Sequence, residues 1–449
     1  MKKIVIGVLC ILVLSLTIFN IKSQEFFVKI DQIKQVKPVS ENIETTQKSE
    51  KPKTVRIVLK NNSGNSIYHS NVKLKSKSMN VYYGKNYKTK KSCKKIDIAK
   101  DSKYFKKSKV IKIECRNKIQ WTKEGTKDSI SYEGMFYIYN TKEGLVVINQ
   151  VDMEDYVAGV IASEIGENSP EEALKVQAVC ARTFISKSNP KEYKKYNANG
   201  DDSVSYQVYN KVTAGKNCTK AAKETKNQII LQNGKPIRAY YFSTSCGYTT
   251  DYKIWGKKKQ NYLKGCSTLN TPSSEDIRNE KTFEKFIKSN PKAYESECPF
   301  YRWNVYLTKE QIQNAVSRTV GEETGNITKI EINSRGTGGI ASQITIYGKN
   351  RQVSITNQNQ IRKALCSYYG EIKLNDESVR TKMEMLPSAF IHIENVYDSG
   401  KLCGFKIYGG GFGHGSGMSQ NGAREMAKKG MKYDEILKFF YNDITIENY

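Results

Sequence analysis

Residues 152–187 read DMEDYVAGVIASEIGENSPEEALKVQAVCARTFISK, and this stretch decides how the rest of the chain is read. It follows an apolar run, Leu145-Val146-Val147-Ile148-Asn149, with strand character. Asp152 stands where a helix N-cap belongs, and Asp155 falls in the first turn. Tyr156, Val157, Val160 and Ile161 recur at three- and four-residue spacing up to Glu164. Gly166 is placed to end that helix. Ser169, Pro170 and Glu172 then form a capping-box pattern with proline at the first helical position, and a second helix is predicted through Leu174, Ala178, Ala181 and Ile185.

Outward from this helical pair the chain reads mostly as strand. Val55-Arg56-Ile57-Val58-Leu59 and Met135-Phe136-Tyr137-Ile138-Tyr139 are short apolar runs separated by turns such as Asn62-Ser63-Gly64-Asn65. Further strands are predicted over 236–245, 327–334 and 340–348, with helical stretches near 275–288 and 309–317. A glycine run and a helix close the chain over 409–440. The expected fold class is α+β, with strand-rich lobes flanking a groove, the helical segment over 152–187 as one wall and the glycine-rich segment as the floor.

The N-terminus predicts the compartment. Lys2 and Lys3 precede a greasy run from Ile4 to Phe19, and no small-x-small cleavage site follows it. Residues 1–23 therefore read as an anchor or signal segment, with the uncleaved transmembrane helix favoured by its length. The lysines would stay inside and the body outside. Residues 24–52 are too polar to bury themselves and read as a flexible linker. The remainder, 53–449, is the expected catalytic domain.

The chain of 449 residues carries 73 Lys and Arg against 45 Asp and Glu, a formal +28. Such a balance favours polyanionic partners, although a bias toward Lys, Asn, Ile and Tyr accounts for part of it. An outward-facing topology argues against nucleic acid. None of the ten cysteines forms a C-x-x-C pair, and the nine beyond the N-terminal run cannot all pair internally.

Four stretches, in order, resemble the SpoIID/LytB family. They are Met153-Glu154-Asp155-Tyr156-Val157-Ala158-Gly159-Val160-Ile161-Ala162-Ser163-Glu164; Glu172-Ala173-Leu174-Lys175-Val176-Gln177-Ala178-Val179-Cys180-Ala181-Arg182-Thr183; Tyr241-Phe242-Ser243-Thr244-Ser245-Cys246-Gly247-Tyr248-Thr249; and Gly410-Gly411-Phe412-Gly413-His414-Gly415-Ser416-Gly417-Met418-Ser419-Gln420-Asn421-Gly422-Ala423. Trp255 and Tyr262-Leu263 lie between them, where the family often has a tryptophan and a tyrosine-leucine pair. The resemblance implies a membrane-held lytic transglycosylase. Its substrate would be peptidoglycan glycan strands stripped of stem peptides, and an amidase and other engulfment membrane proteins would be its partners. Some members resemble metal proteins, with cysteine and histidine ligands ahead of the element that here is Gln207-Val208-Tyr209. Gly200-Asp201-Asp202-Ser203-Val204-Ser205-Tyr206 offers no thiol or imidazole, so no metal and no cofactor is expected. Cys246 replaces a usual glycine, and Phe242 stands where the family has histidine.

A lytic transglycosylase needs one carboxyl group, which protonates the leaving glycosidic oxygen and then takes the proton of the sugar's 6-hydroxyl. Glu164 is the candidate, at a helix C-terminus whose negative dipole favours the neutral acid, with Glu167 expected to push the same way. The plainer role for any such glutamate is a solvated helix end. Lys175 and Arg182, seven residues apart, share a helix face, and Arg182 is expected to hold a lactyl carboxylate or the Glu164 loop. Gln177 points elsewhere yet stays among the substrate-binding candidates, as does Tyr248. Ser243, Thr244 and Ser245 offer hydroxyls to a sugar or simply satisfy a strand end. His414 could donate to a sugar or to Glu164, and Ser419 and Gln420 open the last helix toward the groove. Rival readings are a hydrolase using Cys246 or Ser416 with His414, and a non-catalytic wall-binding amidase enhancer.

Overall fold

The computed structural model describes residues 53–448 apart from 62–63, 124, 127–128, 256–259 and 272–274. The expected anchor and linker lie outside the described residues. Among those described, no helix is long and apolar enough to cross a membrane.

The first lobe is a curled, almost wholly antiparallel sheet. Thr54–Leu59 pairs with Leu145–Asp152, which pairs in turn with Met135–Asn140; Val110–Cys115 and the long strand Asn71–Tyr83 follow. A register shift between Lys75 and Met79 bends that long strand. Its N-terminal part can then take Ile119–Thr122 as neighbour while its C-terminal part takes Val110–Cys115. Ile57, Val72, Val81, Ile111, Ile113, Phe136, Ile138 and Val147 fill the inside of the curl.

The strand Leu145–Asp152 runs straight into helix α1 (Met153–Glu164), and Asp152 caps it by accepting from the Glu154 N–H. Helix α2 (Glu171–Lys187) follows at once. The capping box expected at its start is absent: Pro170 occupies the N-cap, and the Ser169 hydroxyl donates back to the Ile165 carbonyl at 2.7 Å. Helix α2 is sandwiched between two cores. Leu174, Ala178, Ala181 and Ile185 face the first lobe, whereas Val176, Val179 and Cys180 face a core shared with Met418, Met426, Leu437 and Phe440. A helix packed on two sides has little room for solvated polar side chains, so each polar residue on it needs a partner.

Helix α3 (Lys216–Glu224) packs against both α1 and α2. Beyond it the expected strand over 236–245 is broken into Lys235–Pro236 and Tyr241–Phe242. The second lobe carries α4 (Glu280–Lys288), a five-stranded antiparallel sheet centred on Trp303–Thr308 and Lys401–Gly409, helix α5 (Lys309–Val320), and a three-stranded sheet containing Ile327–Arg335 and Ala341–Gly348. Helix α6 (Gln358–Ala364) completes its core. The chain closes with two helices rather than one, α7 (Gln420–Lys428) and α8 (Tyr433–Phe440), and then the strand Thr445–Asn448.

Met418–Ser419 lies parallel to Tyr241–Phe242. This pairing brings together two segments more than 170 residues apart and sets both against the end of α1.

Candidate active site

Glu164 is the last residue of α1 and is half-buried. Its Oε1 accepts from the Val208 N–H at 2.8 Å and from the Tyr241 hydroxyl at 3.2 Å, and its Oε2 accepts from the Gln420 amide at 3.3 Å. All three donors are neutral. Burial is the largest influence on the carboxyl and raises its pKa above the ordinary glutamate value; the three hydrogen bonds and the charge of Lys211 oppose this without cancelling it. Glu164 is thus held by groups that orient it without a cation fixing it as a carboxylate.

The surrounding shell is polar and closed. Gln177, 0% exposed, accepts from Gln420 at 3.3 Å through Oε1, while its Nε2 has no hydrogen-bond partner. It faces the site, contrary to the helical-wheel reading. The Tyr241 hydroxyl also lies 3.1 Å from Gln207 Oε1, and Gln207 donates to the Tyr156 hydroxyl at 3.0 Å.

Several expected contributors are employed elsewhere. Glu167 does not press on Glu164. Burial pushes Glu167 up, but N–H groups of Cys218, Asn217 and Gly215 at the start of α3 outweigh it, and its carboxyl sits below the ordinary range. Lys175 turns away into ion pairs with Glu171, Glu172 and Glu224 at 3.0, 3.1 and 2.9 Å. Arg182, 1% exposed, binds both carboxylate oxygens of Glu154 and the carbonyls of Ala222 and Gln228, so it reaches no sugar.

The bracing of the Glu164 loop falls instead to Arg424, which sequence reasoning missed. Its guanidinium donates to the Ile165 carbonyl and to the Ser169 hydroxyl. Gln420 and Arg424 are four residues apart on α7, a spacing that places them on one face and could have flagged the pair.

Ser243 lies half-buried beside the site, and its hydroxyl meets that of Thr244 at 3.1 Å. Thr244 is buried and accepts from the Asn421 amide at 2.9 Å. Ser245 is fully buried, its hydroxyl paired with Thr268 and its N–H donated to Glu295, which removes it from any ligand-facing surface. Ser419 is likewise buried: it caps α7 and donates to Glu295 at 2.6 Å rather than turning to a groove. Glu295 therefore ties the 243–247 turn to the start of α7. Tyr248 packs edge-on against Phe286 in the second lobe.

His414 does not bond Glu164. Its Nδ1 accepts from the Ser416 N–H at 3.2 Å, it bonds the Tyr241 backbone, and its ring lies among Tyr240, Phe242 and Trp255. Burial, assisted by the charge of Arg362, lowers its pKa to about 4, so the ring is neutral near pH 7. The glycine run packs closely on the protein's own backbone. Gly417 has φ +83°, and a Cβ there would lie 2.1 Å from the Tyr240 carbonyl oxygen. At Gly411, with φ +81°, it would lie 2.8 Å from that of Thr244.

A nucleophilic dyad is not assembled. Cys246 is buried and its thiol is pushed up to about 11 by burial, while the Ser416 hydroxyl is buried without a hydrogen-bond partner. At 200–206, where some family members carry metal ligands, Asp201 and Asp202 are buried against Lys60 and Lys123 at 3.3 and 3.4 Å. That donor set does not fit the thiol and imidazole ligands of those members.

A family model described as Stage II sporulation protein matches residues 141–231, the segment that carries α1, Glu164, α2 and the Val208 cap. Stage II sporulation protein D of Bacillus subtilis is 27% identical over 314 residues, covering 67% of this chain and 75% of that protein. Over residues 141–231 the chain carries the SpoIID family signature. A SpoIID relative from Bacillus amyloliquefaciens, bearing the same name, is 28% identical over 314 residues, with the same coverage of both chains. An uncharacterized protein of Brachyspira hyodysenteriae is 29% identical over 334 residues, 73% of this chain and 76% of its own length. The amidase enhancer of Bacillus subtilis is 26% identical over 304 residues, 65% of this chain but 40% of that protein. A domain of unknown function (DUF8618) matches 249–371 and 366–417, so the second lobe carries a separate family signature.

Proposed function

We propose that this protein is a SpoIID-type peptidoglycan lytic transglycosylase held at the outer face of the cell membrane by its N-terminal segment. The SpoIID signature over 141–231 and the sporulation and amidase-enhancer names of its relatives support a cell-wall role. The observation that carries the finer reading is Glu164, a half-buried carboxyl with a raised pKa whose hydrogen-bond donors are all neutral.

Oε1 is anchored twice, by Val208 and Tyr241, and Oε2 only by the longer Gln420 bond, so Oε2 is the oxygen that carries the proton toward substrate. In the first step the Oε2 proton passes to the glycosidic oxygen as the C1–O bond breaks. In the second, the carboxylate takes the proton of the muramic 6-hydroxyl as that oxygen bonds to C1. A 1,6-anhydro end forms and no water is consumed. The two glutamines accommodate both states: the Gln420 amide nitrogen donates to the carboxylate, and with both amides turned over the Gln420 carbonyl oxygen would accept from the neutral acid while Gln177 Nε2 donates to Gln420.

The test is mass spectrometry of peptide-free glycan incubated with the protein. Anhydro-muramic ends are expected with the parent chain and not with Glu164→Gln. Reducing ends would mean a hydrolase. The amidase-enhancer relative motivates a second reading, in which the chain binds wall and stimulates an amidase; intact glycan, even with an amidase present, would favour it.

A further inference from the structure

In the second lobe, α4 presents Glu280, Glu284 and Lys288 on one face, at four-residue spacing. That face packs on the strand Ile391–Asp398, where His392 and Glu394, two apart, point the same way. The Nδ1 of His392 lies 2.8 Å from Glu280 Oε1, and Glu280 also pairs with Arg335. A carboxylate only accepts, so Nδ1 carries the hydrogen and Nε2 is the ring nitrogen left for another ligand. His392 is 7% exposed, yet Nε2 has no hydrogen-bond partner. It points between Glu284 Oε1 at 3.8 Å and Glu394 Oε1 at 3.9 Å. The Lys288 ammonium bridges the same two carboxylates.

We infer that Glu284, His392 and Glu394 form a binding site for a divalent cation of the zinc class, with the Lys288 ammonium as the occupant that the ion displaces. Ligand atoms each about 2.0–2.1 Å from a tetrahedral zinc lie roughly 3.3 Å apart, so the two edges from His392 Nε2, at 3.8 and 3.9 Å, each need to contract by about half an ångström, and the two carboxylate oxygens, within 4.8 Å of each other, close in with them. Glu284 and Glu394 are only half-buried and can make that adjustment. Glu280 supplies what a metal-bound histidine usually has, a carboxylate on its other ring nitrogen that fixes tautomer and orientation. Two carboxylates neutralise the ion, and Lys288, 31% exposed, can swing into solvent. One imidazole and two oxygens suit zinc, cobalt or manganese. The site would pin α4 to the second-lobe sheet and is independent of the Glu164 chemistry.

The test is titration of the full chain with Co2+, read by visible absorption, then competition with Zn2+. One cobalt per chain is expected, without the near-ultraviolet band of a thiolate ligand, which separates this site from the free cysteines. Glu280→Gln should weaken binding about 10–100-fold, His392→Ala at least tenfold, and Lys288→Met should tighten it several-fold. Glu394→Gln serves if the His392 variant fails to fold. The inference is overturned if neither parent nor Lys288→Met binds cobalt at millimolar concentration, or if the His392 and Glu394 variants bind like the parent. Binding confined to Lys288→Met would make the lysine the permanent occupant and would overturn it equally.

Discussion

Two glutamates sit near opposite ends of α1, ten residues apart, in contrasting surroundings. Glu154, in the first turn, meets the buried guanidinium of Arg182 through both oxygens. Glu164, at the last turn, meets a backbone N–H, a phenol and an amide. The difference lies in the partner's charge. A buried guanidinium grips both oxygens, so Glu154 is a structural tie between α1 and α2. Neutral donors leave burial free to favour the protonated form, as an acid catalyst requires.

The contrast can be broken most forcefully at Glu164 itself. Glu164→Gln keeps shape and hydrogen-bonding capacity, and glycan cleavage should fall about 10²–10⁴-fold. Stability should move the other way. A carboxyl whose folded pKa is raised stabilises the fold fully only below its unfolded value, and that contribution is lost as pH rises through the folded pKa. Glu164→Gln should therefore unfold at a higher temperature than the parent near pH 7, with the advantage gone below about pH 4.5.

Arg182→Leu attacks the other end. It strands Glu154 without its cation and should cost about 3–5 kcal/mol in denaturant unfolding, whereas Glu164→Gln should not destabilise.

His414 sharpens the picture in acid. Its folded pKa of about 4 lies below the unfolded value of 6.5, so the stability it contributes is present above pH 6.5 and lost as pH falls toward 4. The loss should approach about 3 kcal/mol and be absent from His414→Phe. Smallest is Lys175→Ala, which removes partly exposed ion pairs. It should change stability by about 1 kcal/mol or less and leave cleavage unaltered.

How far these roles were legible varies along the chain. Helix α1 was readable because Asp152 caps it and its apolar residues repeat at helical spacing. Helix α2 was readable as a helix but not in its facing. With Leu174, Ala178 and Ala181 in one core and Val176, Val179 and Cys180 in another, the wheel has no solvent side from which to orient Gln177, Lys175 or Arg182. Val208 and Tyr241 converge on Glu164 only through tertiary packing, so no local pattern announces them, whereas Gln420 was a candidate from its place at the start of the last helix. Lys175, Arg182, Ser245 and Ser419 sit at motif positions that look functional, yet each is engaged within the protein, with Glu224, Glu154, Thr268 and Glu295 respectively. The cluster around His392 carries no short-range spacing signal, since it spans α4 and a strand more than 100 residues later.

The central claim is that Glu164 holds its proton at a higher pH than an ordinary glutamate. Titrating protein labelled with ¹³C at the glutamate carboxyls, and comparing it with Glu164→Gln, reads this directly. One resonance should titrate clearly above 4.5 in the parent and be missing from the variant. If every carboxyl titrates at or below the ordinary value, or if the high-pKa resonance survives in Glu164→Gln, the account is contradicted.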